Sequence, residues 1–266
     1  MKIITLIENQ VNKAGLLAEH GLCIYIDTGT QKILFDTGQT NAFIKNAEKL
    51  GVDLSEVDSV VISHGHFNHM GGLPAFLELN SKARVFLKKE ALNHKFSNGS
   101  KSMEPSIDLD KHKDRLEFVT QALEIAEGVF IMSEIPIIDE TDTNFQKCKV
   151  TVGENITDDK FPDELFLAIT RKNKLSILSS CSHRGITNII REAKVHFNLP
   201  IKLILGGFHF KEFAAEQYVN ITYYLNQIEP ETIGICHCTS MQKYADLAND
   251  CHTNVMYNFT GNTIRL

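Results

Sequence analysis

Apolar and β-branched residues crowd the stretch LCIYIDTGTQKILFDTG, Leu22 to Gly38, on either side of a Thr-Gly-Thr turn, and this pattern predicts a β-hairpin. The period then changes. Phe43, Ala47 and Leu50 recur at i, i+4 and i+7 between Thr40, a suitable N-cap, and Gly51, a suitable stop, so a helix lying on the sheet follows. SVVIS and ARVFLKK read as further core strands, with GGLPAFLEL between them as a helix start. The second half repeats the scheme. ELFLAIT and LSILSSC form a hairpin, and Ile186, Ile189, Ile190, Ala193 and Phe197 share one helical face. Strand IKLILGG, a helix with Tyr218, Ile221, Leu225 and Ile228 in phase, and strand ETIGICH complete it. No low-complexity linker interrupts the order. We therefore expect one α/β domain over residues 1–266, with sheets packed face to face and helices outside.

One segment breaks the pattern. Asn93 to Leu116, NHKFSNGSKSMEPSIDLDKHKDRL, is polar and too long for an ordinary connection, so residues 93–116 are expected to form an insertion or a lid. Its Lys95, Lys101, His112, Lys113 and Arg115 could meet an anionic substrate, or could simply be solvated.

Composition narrows the function. The chain has 266 residues, 43% of them hydrophobic, and a net charge of −6 with no basic stripe, which argues against nucleic acid as a partner. The N-terminal MKIITLIENQ lacks the apolar core of a secretory signal, and no run is long enough to span a membrane. Six cysteines without a signal are expected to be reduced thiols in a cytoplasmic protein, with no disulfides.

Histidine placement is the strongest chemical signal. His64, His183, His209 and His237 each fall just after an expected core strand, where side chains distant in sequence can converge. Clustered neutral imidazoles are most readily explained by a transition metal. In VVISHGHFNHMGGL, His64 and His66 are two apart on extended backbone and can bind one ion, whereas His69 approaches from another direction and could hold a second. Gly65 and the Gly71-Gly72 pair discourage the helical H-E-x-x-H arrangement, and a closed structural zinc site would want paired cysteines. The remaining His20, His94, His112, His196 and His252 are expected to serve packing or to lie at the surface. Cys181, Cys236 and Cys238 read as small buried thiols, although Cys181, His183 and His209 are all open as metal ligands.

SHGHFNHMGGL resembles the H-x-H-x-D-H signature of the metallo-β-lactamase superfamily, and LFDTG at 34 to 38 resembles its first motif. SCSHRGI, GGFHF and CHCTS resemble the later blocks of a subgroup related to the methanopterin-pathway dihydropterin phosphate synthases. The resemblance covers nearly the whole chain. It implies a four-layer αβ/βα sandwich with a one- or two-metal site and a hydrolytic or phosphate-ester-related reaction. His64, His66, His69, His183, His209 and His237 are then the expected metal ligands, with Asp36 supporting them from behind. Asn68, His183 and His209 are the expected catalytic participants. Asn68 departs from the family's aspartate, Ser180 and Ser240 replace glycines, and no bridging carboxylate is evident.

The expected function is a hydrolase that uses a metal-bound hydroxide on an anionic small molecule, a phosphate or an ester, with a pterin-related phosphate as one candidate. Zinc suits the imidazoles best, with manganese or iron as substitutes. Because an amide at position 68 brings no charge, one ion is expected to bind tightly and a second weakly or not at all. The alternatives are a metal- and ligand-binding protein without turnover, which Asn68 favours, and an iron-dependent redox protein, which the lack of a flavodoxin-like extension disfavours. The oligomeric state is not legible.

Overall fold

The computed structural model describes residues 1–97, 101–102, 110–145, 148–211 and 214–266. Its described residues form two compact units, each drawn from separate parts of the sequence. The first comprises Met1–Thr120, Lys147–Asp163 and Phe259–Leu266, and the second Gln121–Gln146 and Glu164–Asn258.

In the first unit a seven-stranded sheet runs in the order Thr263–Arg265, Lys2–Ile7, Cys23–Asp27, Lys32–Phe35, Ser59–Val61, Arg84–Leu87, Leu116–Phe118. The expected hairpin is present, with Asp27 opposite Lys32. From Lys32–Phe35 onward the pairing is parallel, and Phe35 lies opposite Val61. Two strands therefore end side by side, and the chain leaves them as Asp36 and as Ile62-Ser63-His64. The helix Ala42–Lys49 starts later than expected, with Asn41 rather than Thr40 at the N-cap. Thr40 Oγ1 still accepts from Ala42 N at 3.1 Å while donating to Glu19. Phe43, Ala47, Val60, Ile62, Leu73 and Phe76 belong to one buried cluster that fixes these helices on the sheet.

The second unit holds another seven-stranded sheet: Asn254–Tyr257, Thr232–Ile235, Ile201–Gly206, Lys174–Ser179, Phe166–Arg171, Val129–Met132, Leu123–Ala126. The four strands from Lys174–Ser179 to Asn254–Tyr257 are parallel, so their carboxyl ends share one edge. Helices Ile186–Phe197 and Ala215–Ile228 bury Ile189, Ile190 and Ala193, and Ile221 and Leu225, in the expected phases. Ser240 has a use that its family position does not suggest: it caps the helix Met241–Asp250, accepting from Lys243 N. Asp142 secures the helix that begins at Ile186, since its Oδ2 accepts from Thr187 N at 2.7 Å. Burial pushes its carboxyl up to about 6, against hydrogen bonds from Thr187 and Gln217.

The 93–116 segment is partly described, and residues 98–100 and 103–109 of the expected lid lie outside the described residues. Lys95 is not at the surface. It is 1% exposed, and its Nζ donates to Asp159 Oδ2 at 2.6 Å and Asp163 Oδ1 at 2.8 Å. The two carboxylates outweigh burial and raise the Lys95 pKa, so the ammonium stays charged. Arg115 is also committed to the fold, donating to the carbonyls of Ala83 and Leu77. These two basic residues therefore do not await an anionic substrate.

Replacing Lys95 with Met leaves two buried carboxylates uncompensated and should cost about 3–5 kcal/mol in urea unfolding at neutral pH. The pair's contribution should persist below the ordinary lysine pKa and fade only at strongly alkaline pH. Asp142 has the opposite sign. Its folded carboxyl keeps a proton that the unfolded one loses, so its contribution to stability should fall as pH rises from 3.8 through about 6. The difference in unfolding free energy between the parent and Asp142→Asn, measured below and above that window, checks this.

Candidate metal centre

In the first unit the chain leaves Val61 into SHGHFNHM, and His64, His66 and His69 are all buried. Their packing is close: the His64 and His66 ring centroids are 4.7 Å apart, and those of His64 and His69 4.3 Å. Asp36 organises the group from the neighbouring strand end. Its Oδ1 accepts from Ser63 N at 2.7 Å, and its Oδ2 accepts from Ser63 Oγ at 2.8 Å and His69 Nδ1 at 2.7 Å.

A carboxylate can only accept, so His69 carries its proton on Nδ1. The Ser63 hydroxyl gives its hydrogen to Asp36 and can in turn accept from His64 Nδ1, 2.9 Å away. Both imidazoles are thereby set in the Nδ1–H tautomer, with the Nε2 lone pair on the side away from Asp36. Asn68 meets that lone pair on His69, its Nδ2 standing 3.1 Å from Nε2. An amide can donate there, and an ionised aspartate could not.

A second buried anion steadies the loop. Asp163 Oδ2 accepts from Gly65 N at 2.7 Å while its other oxygen holds Lys95. The position must be glycine, because a Cβ there would lie 2.1 Å from the Ala91 carbonyl oxygen. Phe161 stacks its edge against the group, 5.1 Å from the His66 ring and under the Lys95 ammonium.

In the second unit the ends of the parallel strands carry Cys181 and His183, His209, and His237 with Cys238. Ser182 and His237 adopt left-handed backbone, with φ of 58° and 56°. Ligand atoms of Cys181, His183 and His209 lie within 4.8 Å of one another, as do those of Cys181, His237 and Cys238, so either group could hold an ion. The His183 and His209 rings are 4.6 Å apart. Glu164 fixes this loop, its two oxygens accepting from the amides of His183 and Arg184 at 2.7 Å each. The Asn144 carbonyl lies 3.3 Å from His183 Nδ1.

For His209, burial disfavours the charged ring, but Cys238 and Glu164 outweigh it and raise the pKa. Its Nδ1 is buried without a hydrogen-bond partner among the described residues, as a ligand nitrogen awaiting a cation would be. Position 207 is shaped by sulfur: a Cβ on Gly207 would come 2.4 Å from Cys238 Sγ and 2.5 Å from the Ser180 carbonyl oxygen.

His64, His66 and His69 thus pack together in the first unit, and His183, His209 and His237 lie among possible donors at the strand ends of the second. Sequence reasoning missed Ser63, Asp163 and Glu164. Ser63 sits beside the first histidine and could have been suspected, whereas the two acids lie far from the loops they hold.

A model of the metallo-beta-lactamase superfamily matches residues 17–136, a span that contains Asp36 and the first three of these histidines. The chain is 28% identical to the 7,8-dihydropterin-6-methyl-4-(beta-D-ribofuranosyl)-aminobenzene-5'-phosphate synthase of Methanocaldococcus jannaschii, covering 91% of this chain and 88% of that relative. Among solved structures, Tm1679, a metal-dependent hydrolase of the beta-lactamase superfamily, superposes with a TM-score of 0.88 at 31% identity, over 100% of this chain and 99% of that one. The metallo-beta-lactamase fold protein YhfI from Bacillus subtilis, 10% identical, superposes at 0.59 over 99% and 98% and speaks to the fold alone. This fold implies metal binding, and the buried donor groups suit it. Fold, motif span and a relative matched end to end agree, and the chain belongs to the metallo-β-lactamase superfamily.

Proposed function

We propose that the protein is a metal-dependent hydrolase acting on a small anionic ester, most simply a phosphate ester. The observation that carries this is the tautomer setting in the first unit. Ser63 and Asp36 fix the Nδ1 side of His64 and His69, which orients their other nitrogens as ligands before any ion arrives. His64, His66, His69, His183, His209 and His237 are the proposed ligands, with zinc the preferred ion because neutral imidazoles suit it. A bound ion would supply an activated water and would draw charge from an ester oxygen, making the phosphorus or carbonyl carbon that carries it easier to attack. His183 and His209 are the residues proposed to help move the proton. The 28% identity to a dihydropterin phosphate synthase makes a pterin-related phosphate one substrate to try. Residues 93–116 remain a proposed lid, with Lys113 exposed at its described end. We place the reaction in the cytoplasm, without nucleic acid.

Ion number follows from Asn68. Its amide engages His69 Nε2, so an ion at that nitrogen must displace a hydrogen bond and gains no anion in return. One ion should bind firmly and a second weakly. The same contact supports a second reading, ligand binding without turnover, and hydrolysis of a generic phosphodiester by zinc-loaded protein separates the two.

Joint replacement of His64 and His66 by Ala should abolish metal retention, measured by elemental analysis after dialysis, while circular dichroism stays near that of the parent. An unchanged metal content would overturn the proposal. Asn68→Asp should raise affinity for a second ion by about tenfold or more in a zinc titration. Two ions tightly bound to untreated parent protein would contradict that account of Asn68.

A further inference from the structure

Lys95 belongs to the inserted segment, and two separate paths lead from its ammonium to the same pair of histidines. It opens the strand Lys95–Ser97, which pairs antiparallel with Cys148–Val152 and sets Lys95 opposite Val150. The first path is polar. Lys95 Nζ donates to Asp163 Oδ1 at 2.8 Å, and the other oxygen of that carboxylate accepts from Gly65 N, the amide between His64 and His66. The second path runs through a ring. Nζ stands 4.9 Å from the centre of Phe161, and that centre lies 5.1 Å from the His66 ring and 6.0 Å from the His64 ring. Phe161 is held there against its own backbone preference. It is fully buried with φ of 49°, and its amide donates to Asp159 Oδ1 at 2.7 Å while Asp159 Oδ2 accepts from the ammonium at 2.6 Å.

We propose that Lys95 is a positioning residue for His64 and His66, acting through Asp163 and Phe161, so that the inserted strand sets how these two imidazoles meet an ion. This rests on the metal-dependent reading above and adds to it what aims the pair. Stability alone is a weak reason for such a cluster, because desolvation offsets most of the attraction in a buried ion group and apolar packing often does as well. Geometry is a better one. A carboxylate bonded at both oxygens turns only by breaking a bond, and the Phe161 ring moves only if its backbone gives up the bond to Asp159. Charge supplies a sign that separates the roles. Loss of a cation beside the histidines should strengthen the binding of a dication, whereas release of Gly65 and Phe161 should weaken it.

Cobalt(II) is the probe, because its visible ligand-field bands follow coordination geometry. The metal-free parent, Lys95→Met, Phe161→Leu and Val85→Ala are titrated with cobalt, and each is followed by circular dichroism and urea unfolding. Val85→Ala opens a cavity in the core cluster of the same unit and controls for lost stability. Lys95→Met and Phe161→Leu should each bind cobalt about tenfold or more weakly, with altered bands. Val85→Ala should lose stability and keep both affinity and bands. A folded Lys95→Met that binds as tightly as the parent or more tightly overturns the inference, as does a Val85→Ala that weakens binding equally. Should Lys95→Met fail to fold, Phe161→Leu decides, since it leaves the ions in place, and parent-like affinity and bands there overturn the inference. Any of these results leaves the hydrolase reading standing. A parent that binds no cobalt overturns both.

Discussion

A carboxylate with no exposed surface, Asp36, is the interaction on which the first unit's chemistry depends. It stands at the end of its strand with φ of 60°, a conformation that costs a non-glycine residue on the order of 1 kcal/mol or more. Leaving water costs a carboxylate far more unless its oxygens are satisfied, and here a backbone amide, a hydroxyl and an imidazole satisfy them. The parallel pairing of Phe35 with Val61 makes this possible, since it delivers the acid and the histidine loop to the same sheet edge. Strand register thus becomes tautomer choice, and tautomer choice becomes a set of aimed lone pairs.

The second unit reaches a similar end by a different route. Parallel strands deliver their carboxyl ends to one edge, and left-handed backbone at Ser182 and His237 turns the chain sharply just beyond. Glu164 then acts on two backbone amides, whereas Asp36 joins a backbone amide to a hydroxyl and a ring. A loop held by its amides owes its shape there to backbone rather than to its side chains.

Much of the scaffold was legible because burial imposes a period. The hairpin at Leu22 to Gly38 and the helix beginning at Ile186 announce themselves through residues that must face a core. Short edge elements such as Leu123–Ala126 bury too little to leave that mark. The histidine groups were visible from their places after strands, yet their supports were not. Lys95 meets acids 64 and 68 positions away, a pairing that no local pattern encodes. For the cysteines the sequence is silent for a different reason: a buried thiol that packs and a buried thiol that ligates are written with the same letter in the same apolar surroundings.

Gly207 carries a consequence for how this chain can change. The space that its missing side chain leaves is filled by the Cys238 sulfur on one side and the Ser180 carbonyl on the other. Adding a methyl group at 207 expels the thiol from its place, and trimming 238 to a smaller residue opens a void that the backbone cannot close. The two positions are bound to each other as lock and key. The room that this sulfur occupies is set by a glycine more than thirty residues upstream.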